Sequence, residues 1–149
     1  MLFDVPQAEQ RASKVRRYVI MVVVFIALVA GASWYLLRYY QEKDTVRHFL
    51  NEVAAGNMQE AYKLWKPSPS YSFNDFLQDW GPNGYYGPVR SYHIERTTRR
   101  RDSNGVDVIV EVSPAKPFPS GGADQNSVKE VDLGVRFSDQ SISFPPPSL

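Results

Sequence analysis

Residues 18–37, YVIMVVVFIALVAGASWYLL, contain no charged side chain, and eighteen of the twenty are hydrophobic. A helix of twenty residues is about 30 Å long, which matches the hydrocarbon thickness of a bilayer. Eleven of the twenty are Val, Ile, Leu or Phe, each favouring insertion by roughly 0.3 to 0.6 kcal/mol near the bilayer centre. A buried helix of a soluble protein fits less well, because the run is apolar on every face and has charge on both sides. Tyr18 before the core of the run and Trp34, Tyr35, Tyr39 and Tyr40 after it have the placing of interfacial aromatic belts. The run therefore predicts one transmembrane helix over residues 18–40. Arg16, Arg17, Tyr18, Trp34, Tyr35 and Arg38 are its expected membrane-interface residues.

Orientation follows from the flanking basic residues. Arg11, Lys14, Arg16 and Arg17 precede the run in a short segment, whereas Arg38, Lys43 and Arg47 follow it. The denser cluster predicts a cytoplasmic basic segment over residues 1–17 and a translocated remainder. Ala30, Gly31 and Ala32 also form an A-x-A site of the kind that ends a cleaved signal peptide. The apolar run resumes after it as SWYLL, which favours an uncleaved signal anchor. Ala27 and Gly31 have small-xxx-small spacing, which leaves a homodimer through the span open.

The span also explains a misleading average. The 149 residues are 43% hydrophobic and 22% charged with net charge +1, like an ordinary small soluble protein. Without the span the hydrophobic share falls to about 36%. The chain has no cysteine, which excludes a disulfide scaffold, a Cys-ligated metal site, a thiol enzyme and a lipoprotein acylated on cysteine. Residues 41–149 carry 12 basic and 14 acidic side chains, a balance that argues against nucleic acid as a partner.

The segment over residues 41–144 is long enough for one domain. Val46, Phe49, Leu50, Val53 and Ala54 recur at helical spacing over residues 44–55, with Gly56 as the stop. A second helix starts at Asn57 with Glu60 as capping-box partner, presents Met58, Ala61, Tyr62 and Trp65, and ends before Pro67. A third is capped by Ser72 with Asp75 and carries Phe73, Phe76, Leu77 and Trp80 before Gly81.

After WGPNGYYGP the period changes to two. Residues 89–98, 106–113 and 131–137 read as strands, with a short fourth over 141–144. Asn104-Gly105 predicts a hairpin turn through positive φ angles. Residues 114–127, rich in Pro and Gly, predict a mobile loop or functional rim. The last five residues read as a proline-rich polyproline tail. Helices followed by antiparallel strands make an α+β fold, with short helices packed on a curved antiparallel sheet of three to four strands.

The segments VRHFLNEVAAGNMQEAYKLW and SFNDFLQDWG, followed by three alternating strands, resemble a recurrent bacterial pattern. They are similar to membrane-anchored or secreted modules of the nuclear transport factor two-like superfamily, over roughly residues 45–144. The matching residues, Phe49, Leu50, Gly56, Asn57, Ala61 and Tyr62, are packing and turn residues. The resemblance implies a cone-shaped α+β domain with a pocket at its open end. It does not choose between isomerases, dehydratases, hydrolases and non-catalytic binding modules.

No GxSxG, phosphate-loop or HExxH motif occurs, so no catalytic residue, metal ligand or cofactor is assigned. The candidate binding residues are Tyr85, Tyr86, His93 and Glu95. The adjacent tyrosines suit a protein or ligand contact, because they offer large area at low entropy cost, or else they seal the core. Alternation predicts that His93 shares a sheet face with Ser91 and Glu95, and His93 with Glu95 or a cross-strand Asp107 could form an acid/base pair. His48, Asp75 and Asp79 read as solvated helix residues. Arg99, Arg100 and Arg101 either touch anionic headgroups or deter edge pairing.

The expected protein is a single-pass membrane protein of the bacterial cell membrane. Its non-catalytic α+β domain binds a ligand or protein near the bilayer, with the bilayer and a membrane or envelope protein as partners. An anchored pocket-type enzyme and an assembly factor of a membrane complex are the alternatives.

Overall fold

The computed structural model describes residues 7–66, 69–102 and 104–145, which fall into two compact units divided between Arg38 and Tyr39. The first holds one helix, α1 (Gln7–Leu37). It starts well before the apolar run because residues 7–17 hold Ala, Gln, Glu, Lys and Arg, all good helix formers, and no Gly or Pro. It stops at Leu37 rather than residue 40, since Tyr39 adopts a left-handed backbone with φ 61°. Every side chain over residues 11–37 is exposed, and α1 is long and apolar enough to cross a membrane.

The second unit begins with α2 (Tyr40–Ala55), four residues earlier than its apolar stripe predicts. Val46, Phe49, Leu50 and Val53 are buried, and Gly56 ends the helix with φ 82°. The helix α3 (Met58–Trp65) lacks the expected capping box: Asn57 donates its amide to Glu52 instead, and Glu60 pairs with Lys63. Both bonds hold side chains that the box would need. In α4 (Phe73–Trp80) the predicted box is complete, Ser72 accepting from the Asp75 N–H while Asp75 accepts from the Ser72 N–H.

Four strands form an antiparallel sheet in the order β1 (Ser91–Arg99), β2 (Gly105–Ser113), β3 (Lys129–Arg136) and β4 (Ile142–Ser143). The sheet is open, with β1 and β4 at its edges. Val106, Val108, Val110 and Val112 on β2, flanked by Val131, Leu133 and Val135 on β3, form a buried face that meets the helix stripes. The central position of β2 accounts for that density of β-branched side chains. Residues 114–127 include a 3-10 turn, Ala123–Ser127. Of the proline-rich tail, residues 146–149 lie outside the described residues.

Two positions depart from the expected strand pattern. Gly105 has no positive φ; it opens β2 where an added Cβ would lie 2.2 Å from the Val135 carbonyl, so close approach requires the glycine. Phe137 leaves the strand and stacks on Tyr39, with ring centroids 6.2 Å apart.

Candidate functional site

At the end of α4 the chain must satisfy carbonyls that the helix leaves open. It does so by turning back: the N–H groups of Tyr85 and Tyr86 donate to Gln78 O and Asp79 O at 2.9 and 2.8 Å. This fixes the two tyrosines in opposite roles. Tyr86 stacks on Trp80 at 5.0 Å and faces Phe144 at 6.0 Å. Burial, helped by the neighbouring Tyr85 and Asp79, raises its hydroxyl pKa, so it stays protonated at neutral pH. Tyr85 is 67% exposed. The Lys129 ammonium lies 4.8 Å from the Tyr85 ring centre and donates to the Tyr85 carbonyl. The loop thus seals the core with one ring and presents the other.

His93 and Glu95 are both exposed, and the strict alternation expected between them is interrupted. The register shifts between Ile94 and Arg96, leaving Glu95 as an extra residue in a β-bulge. After the bulge, Arg96 faces Ile109 and Thr98 faces Asp107, so the His93 face continues through Arg96 and Thr98. His93 is opposite Glu111, not Asp107, and its ring lies 6.0 Å from Phe118. Asp107 instead accepts from Arg100 Nε at 3.0 Å. No hydrogen bond or ring contact joins His93 or Glu95 to the tyrosines among the described residues.

The same end of the sheet holds a shallow groove of about 640 Å³, lined by Asn51, Arg90, Ser91, Tyr92 and Lys116 with two alanines of α2. Tyr92 donates to Asn51 Oδ1 at 2.8 Å, tying β1 to α2. Its pKa is raised by burial, against the charge of Arg47. Both cations of the groove are exposed, and among the described residues no carboxylate lines it. Arg90 N–H donates to Ser113 O, so the aromatic loop and the start of the proline-rich connection lie side by side.

The space between helices and sheet is filled with rings. Phe49, Phe76 and Trp80 are fully buried, and Trp65 and Phe144 join them with centroids 4.9 to 6.3 Å apart. Trp80 Nε1 is buried without a hydrogen-bond partner among the described residues. Asp79 is not merely solvated: it accepts from the Tyr71 hydroxyl at 2.6 Å. Burial of Tyr71, reinforced by that bond, pushes its pKa far up. On the other sheet face, Asp132 has a raised pKa through burial and the Asp107 charge, opposed by Arg100 and Arg96. Among the described residues, no group of three or more His, Asp or Glu could hold a metal ion.

On α1, Arg16, Arg17, Tyr18, Trp34 and Tyr35 are exposed, and the Arg38 guanidinium lies 5.2 Å from the Trp34 ring centre. Sequence reasoning missed Lys129 and the groove cations, because lysine or arginine at a strand end has no periodic signature.

Compared with known protein families, curated proteins and solved structures, the chain finds no match in any of the three.

Proposed function

We propose that the chain is a single-pass membrane protein of a bacterial cell membrane, with residues 1–17 in the cytoplasm and the α+β domain outside. In this reading the domain is a non-catalytic binding module, and its docking end carries Tyr85. The observation that carries the proposal is that every apolar side chain over residues 18–37 is exposed. An apolar helix about 30 Å long that is covered by no protein needs another low-dielectric partner, and a bilayer fits its length. A curved, cone-like domain related to the nuclear transport factor two-like superfamily is consistent with three short helices followed by an antiparallel meander. Its interior supports binding over catalysis, because rings occupy the space where a pocket would lie. The exposed Tyr85 beside Lys129 offers an aromatic and cationic surface suited to a protein partner.

A reporter active only outside the cytoplasm, fused after Leu149, tests the topology. Activity is expected, and an inactive but stably expressed fusion reverses the orientation. A photo-crosslinking residue at position 85 tests the docking end: a discrete adduct with an envelope protein is expected in intact cells. Identical bands with the crosslinker at position 85 and at the exposed position 59 would remove Tyr85 from the interface.

A further inference from the structure

We propose that the domain has its own contact with the bilayer: an arginine-rich end that binds anionic phospholipid headgroups. The proposal rests on the membrane reading above and adds a second lipid site within the domain.

The β1–β2 and β3–β4 turns lie side by side, since Phe137 N–H donates to Asn104 O at 2.9 Å and Gly105 pairs with Arg136. This end gathers Arg99, Arg100, Arg101 and Arg136. Arg100, Asp102, Asn104, Arg136 and Phe137 line a groove of about 460 Å³. Three acidic side chains at this end already have partners. Asp107 is taken by Arg100 at 3.0 Å, and Asp139 is shared between Lys66 at 3.8 Å and Arg136 at 4.0 Å. Asp102 accepts from the Asn104 N–H. Arg99 and Arg101 are exposed and make no ion pair among the described residues. A guanidinium presents paired donors that match phosphate oxygens.

Two further observations select a lipid source for that phosphate. Phe137 is 36% exposed at the groove, a large ring next to cations, which is the composition of an interfacial anchor. It also stacks on Tyr39, which follows Leu37, the last residue of α1, by only two positions. A chain segment of two residues reaches about 7 Å. Chain connection alone therefore keeps Tyr39, the partner of the Phe137 ring, close to the last residue of the apolar helix.

The full chain is to be reconstituted in nanodiscs of pure phosphatidylcholine and of phosphatidylcholine with phosphatidylglycerol, and amide exchange compared. Exchange over residues 99–105 and 136–138 is expected to slow about tenfold in the anionic discs, with the contrast lost at high salt. The variant carrying Arg99→Gln, Arg101→Gln and Arg136→Gln is expected to lose the slowing, while Arg90→Gln with Lys116→Gln keeps it. A chain that inserts but exchanges identically in both discs overturns the headgroup site and leaves the span intact. Slowing in neutral discs upon adding millimolar inorganic phosphate assigns the site to free phosphate and overturns the lipid assignment. A chain that stays lipid-free on reconstitution overturns the span, and this site with it.

Discussion

At one end of the sheet, Trp80, Tyr86 and Phe144 stack against one another above the buried core. At the other, Arg99, Arg100, Arg101 and Arg136 lie at the turns beside the Tyr39 and Phe137 ring pair. The difference follows from how each end is closed. Around the two turns the backbone closes the end itself: Arg100 N–H donates to Gly105 O, Arg136 N–H to Ser141 O and Gln140 N–H to Arg136 O. Arg99, Arg101 and Arg136 there face outward. At the aromatic end, long glycine- and proline-rich connections replace tight turns, so rings must exclude water from the ends of the helices and strands. Backbone closure releases side chains for the surface, whereas closure by side chains commits them to the core.

The largest expected effect breaks the aromatic end. Trp80→Ala removes a fully buried ring and is expected to cost about 3 to 5 kcal/mol, read by urea unfolding followed by circular dichroism. A loss below about 1 kcal/mol would show that the rings do not close this end.

Gly134→Ala probes the other sheet face. An added Cβ would lie 1.7 Å from Arg100 Nη2, so the guanidinium must move off Asp107, with an expected cost of about 1 to 3 kcal/mol. In the Arg100→Ala background the same change is expected to cost much less, which a double-mutant cycle checks.

Asp132→Asn tests the same face by pH. The folded carboxyl holds its proton more tightly than the unfolded chain does, so stability falls as pH rises from the ordinary value of 3.8 through the raised one. The amide is therefore expected to be the more stable at neutral pH, with the gain vanishing below that ordinary value. Asp75 and Asp139 run oppositely: hydrogen bonds from Ser72 and Ser141 lower their pKa values. Their contribution is present above 3.8 and fades as pH falls through the lowered values. Unfolding curves across acid pH for the parent and Asp132→Asn separate the two trends.

The smallest effects sharpen the contrast. Tyr85→Ala and Arg136→Gln are each expected to leave stability within about 0.5 kcal/mol, although Tyr86, the residue beside Tyr85, is packed on Trp80. A loss above about 2 kcal/mol in thermal unfolding for Tyr85→Ala would return that ring to the core.

What could be read in advance follows the range of the forces involved. The stripe of Val46, Phe49, Leu50 and Val53 and the cap formed by Ser72 and Asp75 are set by neighbours three or four residues away, so their spacing is visible in the chain. The β2 alternation is visible for the same reason. The bulge at Glu95 was hidden, because it depends on register against β2. Asn57 was misjudged because Glu52, on the preceding helix, competes for its amide. Among the candidate residues, the sequence pointed to the aromatic loop but gave no sign of which tyrosine turns inward. That depends on which hydrogen bonds Gln78 O and Asp79 O accept.

The bulge has one more effect. A chain held on a surface meets its copies by two-dimensional diffusion, at far higher encounter rates than dilute solution allows, and a long regular sheet edge would then template strand-to-strand polymerisation. β1 spans nine residues, but the extra residue at Glu95 interrupts the repeat of free N–H and C=O groups midway, and β4 spans only two. Both borders of the sheet are thus poor templates for strand addition.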